Sequence, residues 1–600
     1  MTQFSQPLIA PSLESLLALH YQVAIPQPTN HLFEVTLQIG GWPLEKAGKP
    51  VDLKMPVWTP GSYLVREYAR HVQQVEAYAA HGDRLPCHKV AKNHWQVEQP
   101  GATDLIIRYR VYANDLSVRT NHLDRSHGYF NGAALFFYIP GYTDCPITVT
   151  ILPPFPDWQV ETALPPVLGT NHTYLATDFD TLVDSPFEIG IHSTYDFEVA
   201  NKAHRLVVWG HGNLAPEHLI PDMQKVIEVE ADLFGGLPYD RYLFLLHLAP
   251  QGFGGLEHKF CCSLIYQRFG FRAKEKYDRF IQLVAHEFFH LWNVKRIRPK
   301  ALESFDYEQE NYTPSLWFSE GVTSFYDLVI PYRAGIYDTK AYLSALSQEM
   351  TRYLNTPGRL VQPLSESSFD AWIKLYRPDA NSPNSQISYY LKGEMVALLL
   401  DLLIRQTHGN QRSLDDVLRQ LWHQFGQDEI GFTPAQLEQV IEGVAQQDLT
   451  DFFTRYLHST EELPFNLYLQ PFGLQLEPEK MEEDPPFLGL MVKTEANKEM
   501  VKQVVIGSPA EQAGMVPGAE ILAIDGIRVS GDRLNDRLSD YQPGDTLQIA
   551  FFYQDELCIR PVVLAAPRPT KYTLVPVKNP TSQQAEAFRG WLGVALTTVG

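Results

Sequence analysis

Between about residues 30 and 195 the apolar positions fall in short runs that alternate with polar ones or are dense in β-branched residues, as at 32–39, 104–113, 147–152 and 158–164. Successive side chains of a strand point to opposite faces, and Pro- and Gly-bearing turns separate these runs, so the pattern predicts an all-β sandwich. Two dense segments interrupt it, Pro56-Val-Trp-Thr-Pro-Gly-Ser-Tyr63 and Ser117-Val-Arg-Thr-Asn-His-Leu-Asp124. Each reads as a rigid loop packed on the sandwich. Past roughly residue 200 the period changes. The stretch 242–248 reads as a strand, and 273–296, 316–332, 339–354, 388–407, 413–426 and 433–457 carry the spacing of amphipathic helices. Residues 464–486, rich in Pro and Glu, read as a linker with some extended structure. Short strands with Gly punctuation return over 487–565.

Composition narrows this to a soluble multidomain protein. A single core stops growing at roughly 250–300 residues, and this chain has 600. Hydrophobic residues at 44% and charged residues at 20% exclude disorder, collagen and coiled coil. The net charge of −21 would repel phosphate backbones and anionic membranes, so no nucleic-acid partner is expected. The five cysteines include an adjacent pair, Cys261 and Cys262, and no C-x-x-C; a disulfide framework or thiolate metal site is not expected, and a reducing compartment is. No Lys or Arg precedes Lys46, so the basic start of a secretory signal is missing. The apolar run 395–404 is broken by Asp401 and falls short of the ~18 residues of a membrane span. The expected location is cytoplasmic.

The strongest chemical signal is His286-Glu287-Phe-Phe-His290 inside the helical pattern 277–294. Residues i and i+4 of a helix lie about 40° apart, so both imidazoles project from one face and can share a metal ion. Glu287 sits one step round, where it can take a proton from a water rather than bind the metal. Roughly 0.04 H-E-x-x-H matches per chain are expected by chance at this His and Glu content. A third ligand is needed for zinc, and the next good candidate is Glu320 in Trp317-Phe-Ser-Glu320. Asp327 lies seven residues further on, about 20° round a helix from Glu320, where a carboxylate can orient a ligating imidazole.

Two further stretches carry possible chemistry. Gln251-Gly-Phe-Gly-Gly-Leu-Glu-His258 has the wrong spacing for a dinucleotide fingerprint. It is either an ordinary Gly-rich turn, or a place where Gly254 and Gly255 let a peptide backbone approach the edge strand 242–248 with Glu257 following it. In Ser388-Tyr-Tyr-Leu-Lys-Gly-Glu394 a tyrosine hydroxyl could serve an oxyanion, although paired tyrosines at a helix start also pack.

Gly254-Gly-Leu-Glu-His258, His286-Glu-Phe-Phe-His290, Trp317-Phe-Ser-Glu320 and Tyr390-Leu-Lys-Gly393 together resemble the glycyl aminopeptidase family of zinc peptidases, a gluzincin group related to aminopeptidase N. The loops 56–63 and 117–124 look like that family's amino-terminal domain. The resemblance implies Zn²⁺ held by His286, His290 and Glu320, with Glu287 as general base and Glu257 as the anchor for a free amine. Tyr390, rather than the adjacent Tyr389, would serve the transition state, and Asp327 matches an acidic position behind the ligands. Gly-Gly-Leu-Glu-His in place of Gly-x-Met-Glu-Asn, and a longer gap between His290 and Glu320, set the chain beside the aminopeptidase N branch. The carboxyl-terminal region resembles a PDZ domain, with Leu488, Gly489 and Leu490 as its carboxylate loop; its groove holds a carboxyl-terminal peptide or is filled by its own chain.

The expected architecture is therefore multidomain α+β. A β-sandwich at 1–195 precedes a thermolysin-like, mostly helical catalytic domain at 196–463. A linker at 464–486, a PDZ-like β-rich domain at 487–568 and an extension at 569–600 complete the chain. The expected activity is release of a small first residue, Gly or Ala, from peptides. The alternatives are an endopeptidase on the same zinc core and a PDZ-based peptide-binding adaptor without activity.

Overall fold

Leu19, Tyr21 and Val23 are buried while the residues between them reach solvent. That alternation makes Ala18–Ala24 a strand, one that the sequence reading began too late to include. It runs parallel to Ile147–Leu152 and antiparallel to Leu32–Gly40. The structure is a computed structural model in which residues 17–43, 46–98, 101, 104–479 and 485–599 are described; part of the expected linker, 480–484, lies outside them. The chain forms two compact units, one from residues up to 228 with 235–291 and 304–311, the other from 229–234, 292–303 and 312 onward.

In the first unit a seven-stranded sheet contains Ala18–Ala24, Leu32–Gly40, Leu105–Tyr112 and Ile147–Leu152. A four-stranded sheet, which includes His127–Phe130 and Phe187–Gly190, and a three-stranded sheet share one core with it, through Val35, Leu37, Ile107, Leu53, Val97, Phe130 and Phe187. This is the sandwich that the two-residue period predicts. The strands continue past residue 200, however. A five-stranded sheet follows in the spatial order Ser193–Val199, Lys202–Trp209, Arg241–Ala249, Cys261–Gln267, Phe253–Glu257.

That order corrects one expectation. Arg241–Ala249 is not an edge strand: it has parallel neighbours on both sides, and every residue after Arg241 is buried. The edge is Phe253–Glu257, the Gly-rich stretch itself. It is extended and paired antiparallel with Cys261–Gln267, from Phe253 opposite Tyr266 to Glu257 opposite Cys262. A sheet interior buries both faces of a strand, and that explains the continuous apolar run of Arg241–Ala249.

The second unit is helical up to about residue 469. Thr339–Leu354 and Tyr389–Thr407 match the spacing expected of them. The single run expected over 433–457 is instead two helices, Pro434–Ala445 and Thr450–Tyr456, because Gln446 turns left-handed at φ 54° and closes the first. Leu474–Pro478, in the stretch read as a linker, pairs with Tyr572–Pro576. Further on, Leu490–Glu495, Lys498–Val504, Glu520–Ile524, Thr546–Tyr553 and Glu556–Val563 form a β-rich carboxyl-terminal sheet with its own core around Val501, Ile521, Ile549 and Phe551. The five cysteines are not disulfide-bonded. Among the described residues no helix is long and apolar enough to cross a membrane.

Candidate active site

The helix Lys274–Phe289 carries the H-E-x-x-H sequence at its carboxyl-terminal end. Phe280, Ile281, Val284, Ala285 and Phe288 form its buried stripe, and Lys274 pairs with Asp278 one turn on, at 2.7 Å, on the exposed side. Phe288 fixes the helix to the central strand of the five-stranded sheet, its ring set edge-on to Tyr242 at 5.0 Å. Phe288 and Phe289, between the histidines, are therefore core, and the ligand candidates turn away from it. The helix ends at Phe289 rather than near 296: His290 caps it, and the following amides bond back in tighter turns, such as Leu291 N–H to the Phe288 carbonyl. His290 keeps right-handed helical dihedrals, so the i, i+4 relation holds. The two rings lie 4.7 Å apart and nearly perpendicular, with His290 buried and His286 partly exposed.

Two carboxylates stand beside this pair. Glu257, Glu287 and His290 are all buried and offer donor atoms within 4.8 Å of one another. Burial pushes the Glu287 carboxyl up, to about 7. His286 and His290 oppose the rise, Glu257 adds to it and Arg119 opposes it. The Glu257 Oε1 atom is buried with no hydrogen-bond partner, a costly state for a carboxylate oxygen unless a cationic group completes it.

The loops expected to be rigid packing segments contribute directly. Gly61 has a left-handed φ of +82°, and a side chain there would overlap both the Glu257 carboxylate oxygens and Leu256. Arg119 donates from Nη2 to the Gly255 carbonyl at 2.9 Å, while its own carbonyl accepts from the Tyr68 hydroxyl at 2.8 Å. Gly255 in turn has no room for a Cβ, because Glu287 occupies that space. Gly61 and Arg119 escaped the sequence reading. The only signal for them was the density of the two loops that hold them.

In the second unit Glu320 is buried within Trp317–Val322, a π-helical turn, not the start of a regular α-helix. The wide turn is held from outside: Asn293 Nδ2 donates to the Phe318 carbonyl at 3.0 Å and to the Ser319 carbonyl at 3.3 Å. Such single π-turns recur at functional sites. Because of it the α-helical reckoning from Glu320 to Asp327 does not carry across, and Asp327 lies half-buried in the next helix, Thr323–Arg333. Gly321 of the turn faces Gly393 of the helix Tyr389–Thr407, and any Cβ on Gly393 would meet the Trp317 carbonyl at 2.7 Å. The glycine of Tyr390-Leu-Lys-Gly393 thus lets two helix backbones touch. The same contact brings Tyr390 near Glu320: burial raises the Tyr390 pKa well above its ordinary value, and the Glu320 charge adds to that. Tyr390 is partly exposed, with its hydroxyl 3.4 Å from that of Tyr376, whereas Tyr389 is fully buried. In the carboxyl-terminal sheet, Gly489 takes a left-handed φ of +85° between the buried Leu488 and Leu490, the first residue of an edge strand.

Paired imidazoles on a helix with a carboxylate between them, and a further buried glutamate, are groups of the kind that metallopeptidases use. The comparisons agree. Residues 20–191 match the profile of the peptidase M61 amino-terminal domain, residues 279–396 that of the M61 glycyl aminopeptidases, and residues 500–542 that of a PDZ domain. An aminopeptidase N family protein from Idiomarina loihiensis is 32% identical over 96% of this chain and 100% of its own, with a TM-score of 0.89. The chain belongs to the M61 glycyl aminopeptidase family. It is a metallopeptidase of the aminopeptidase type with a carboxyl-terminal PDZ domain. An M1 zinc metallopeptidase from Deinococcus radiodurans is a more distant likeness, at 15% identity over 75% of this chain and 95% of its own, with a TM-score of 0.45. Among curated proteins none matches the sequence significantly.

Proposed function

We propose that this enzyme is a zinc-dependent aminopeptidase that removes small first residues, Gly or Ala, from peptides with a free amino terminus. The observation that carries the proposal is the buried, unpartnered Glu257 oxygen beside Glu287 and the imidazole pair. His286, His290 and Glu320 would hold the ion; two imidazoles and a carboxylate are a donor set that suits zinc and leaves a position open. A bound Zn²⁺ supplies Lewis acidity, polarising the scissile carbonyl and making water more acidic. Glu287 takes the proton of the attacking water and delivers it to the leaving amine; a carboxyl poised near neutral pH suits both transfers. Tyr390 donates a hydrogen bond to the developing oxyanion, and Asp327 orients a ligating imidazole. Glu257 pairs with the substrate's α-ammonium, and the edge strand with Gly254 and Gly255 gives the peptide backbone a close partner. The preference for Gly rests on the family's description, and Ala is added as the next smallest side chain.

The domain boundaries belong to the same proposal: sandwich 1–195, catalytic domain 196–463, linker 464–486, PDZ domain 487–568 and extension 569–600. Leu488, Gly489 and Leu490 would receive the carboxylate of a peptide partner in the PDZ groove. A cytoplasmic location is proposed because the five cysteines are not disulfide-bonded.

The deciding assay compares amino-acid arylamides with and without an acetylated amino terminus, before and after chelation. Cleavage of free glycyl and alanyl arylamides, lost on chelation and restored by zinc, is expected; chelator-resistant turnover would remove the metal from the reaction. Tyr390→Phe should lower kcat by about 10²–10³ with little change in KM. Tyr389→Phe should leave kcat nearly unchanged, and the reverse pattern would move the role by one residue. Gly255→Ala forces Glu287 aside. A displacement of about 1 Å costs roughly 10²-fold, so kcat should fall by that factor while circular dichroism stays native.

A further inference from the structure

A second cluster of metal-ligand type lies outside the catalytic machinery, where the sandwich meets the five-stranded sheet within the first unit. His127 and Glu188 sit on adjacent antiparallel strands, His127–Phe130 and Phe187–Gly190, and His247 sits on the central strand Arg241–Ala249. One donor atom from each lies within 4.8 Å of the others, and all three side chains are at most 1% exposed. His127 Nδ1 is 2.7 Å from Glu188 Oε1, and His247 Nε2 is 2.8 Å from Glu188 Oε2. The backbone makes room for this: Gly190 lies opposite His127, and a Cβ there would sit 2.7 Å from that of His127. Trp209 closes the outer side, stacked on the His127 ring at 3.6 Å and 7°.

We propose that His127, Glu188 and His247 bind a divalent transition-metal ion of the zinc class, which clamps the sandwich to the first sheet of the catalytic region. Two imidazoles and one carboxylate in a dry pocket are the donors such ions select. Glu188 lies buried between the two imidazoles, each of its oxygens against one ring nitrogen, and a buried carboxylate needs a cationic partner, which a proton on one ring or a metal ion supplies.

Among the cluster's ring nitrogens, His247 Nδ1 is buried without a hydrogen-bond partner. His122 Nδ1 stands 2.9 Å from His127 Nε2. As the Nε2–H tautomer His122 can accept from His127 Nε2–H, leaving the His127 Nδ1 lone pair for the metal, the outer contact that metal-bound histidines usually make.

The test uses the full-length His286→Ala/His290→Ala protein, so that metal in the catalytic site does not enter the count. After loading with zinc and dialysis into metal-free buffer, elemental analysis should find about one equivalent per chain, and cobalt in its place should give a tetrahedral-type visible spectrum. Adding Glu188→Gln or His247→Gln should abolish both, and His122→Phe should weaken zinc binding about 10–100-fold. Chelation of the double variant should also lower its melting temperature, since an ion bound only to the folded state stabilises it. Absence of retained metal in the double variant would overturn the proposal whatever the fate of the further variants. So would retention unaffected by either Glu188→Gln or His247→Gln in proteins that remain folded. The proposed catalytic site stands or falls separately, on metal and activity lost from the wild type through His286 and His290.

Discussion

Glu287→Gln is expected to leave the metal content unchanged and to lower kcat by about 10²–10⁴, the usual size of a lost general acid–base step. Glutamine matches glutamate in shape but cannot accept a proton at neutral pH. The surroundings of Glu287 make the position exacting: its carboxyl is buried, its pKa is raised to about 7, and Gly255 leaves it the only available space. Steady-state kinetics with elemental analysis on the same preparation is the measurement. Wild-type turnover in Glu287→Gln would assign the base elsewhere, whereas loss of metal together with activity would make Glu287 a ligand.

Glu257→Ala should cut kcat/KM for free-amine substrates by roughly 2–5 kcal/mol, the cost of removing one partner from a buried charge pair. That corresponds to about 30- to 5,000-fold. Peptides with an acetylated amino terminus should not be cleaved by the wild type. Without an α-ammonium the buried Glu257 oxygen stays unpaired, and the added bulk is directed toward the wall formed by Gly61, which has no space to spare against that carboxylate. Efficient cleavage of a blocked peptide at an internal bond, with Glu257→Ala close to wild type, would make the enzyme an endopeptidase and Glu257 a structural residue. Product analysis of one free and one blocked peptide decides between the two.

Several features were legible from local spacing alone. The H-E-x-x-H pair and its helix follow from residues no more than four apart, because helical neighbours are set by the chain itself. The same holds for Thr339–Leu354 and Tyr389–Thr407, and for the alternation that marks the sandwich strands. Motif spacing distinguishes Tyr390 from Tyr389, and the two differ in burial, Tyr389 fully buried and Tyr390 partly exposed.

What only the tertiary structure decided depends on partners far along the chain. The identity of the edge strand is a property of sheet order, and no local pattern distinguishes Phe253–Glu257 as the edge from Arg241–Ala249 as the centre. Arg119 reaches Gly255 across 136 residues, and Gly61 meets Glu257 from a loop in the sandwich. The π-turn at Glu320 exists because Asn293 satisfies its carbonyls and Gly393 lets a second helix press against Gly321. His127, Glu188 and His247 lie far apart in the sequence and form one buried cluster in the fold. Periodicity records the forces between near neighbours. The close approach of distant segments is settled by how whole sheets and helices pack, and there the sequence supplies the residues without stating which will meet.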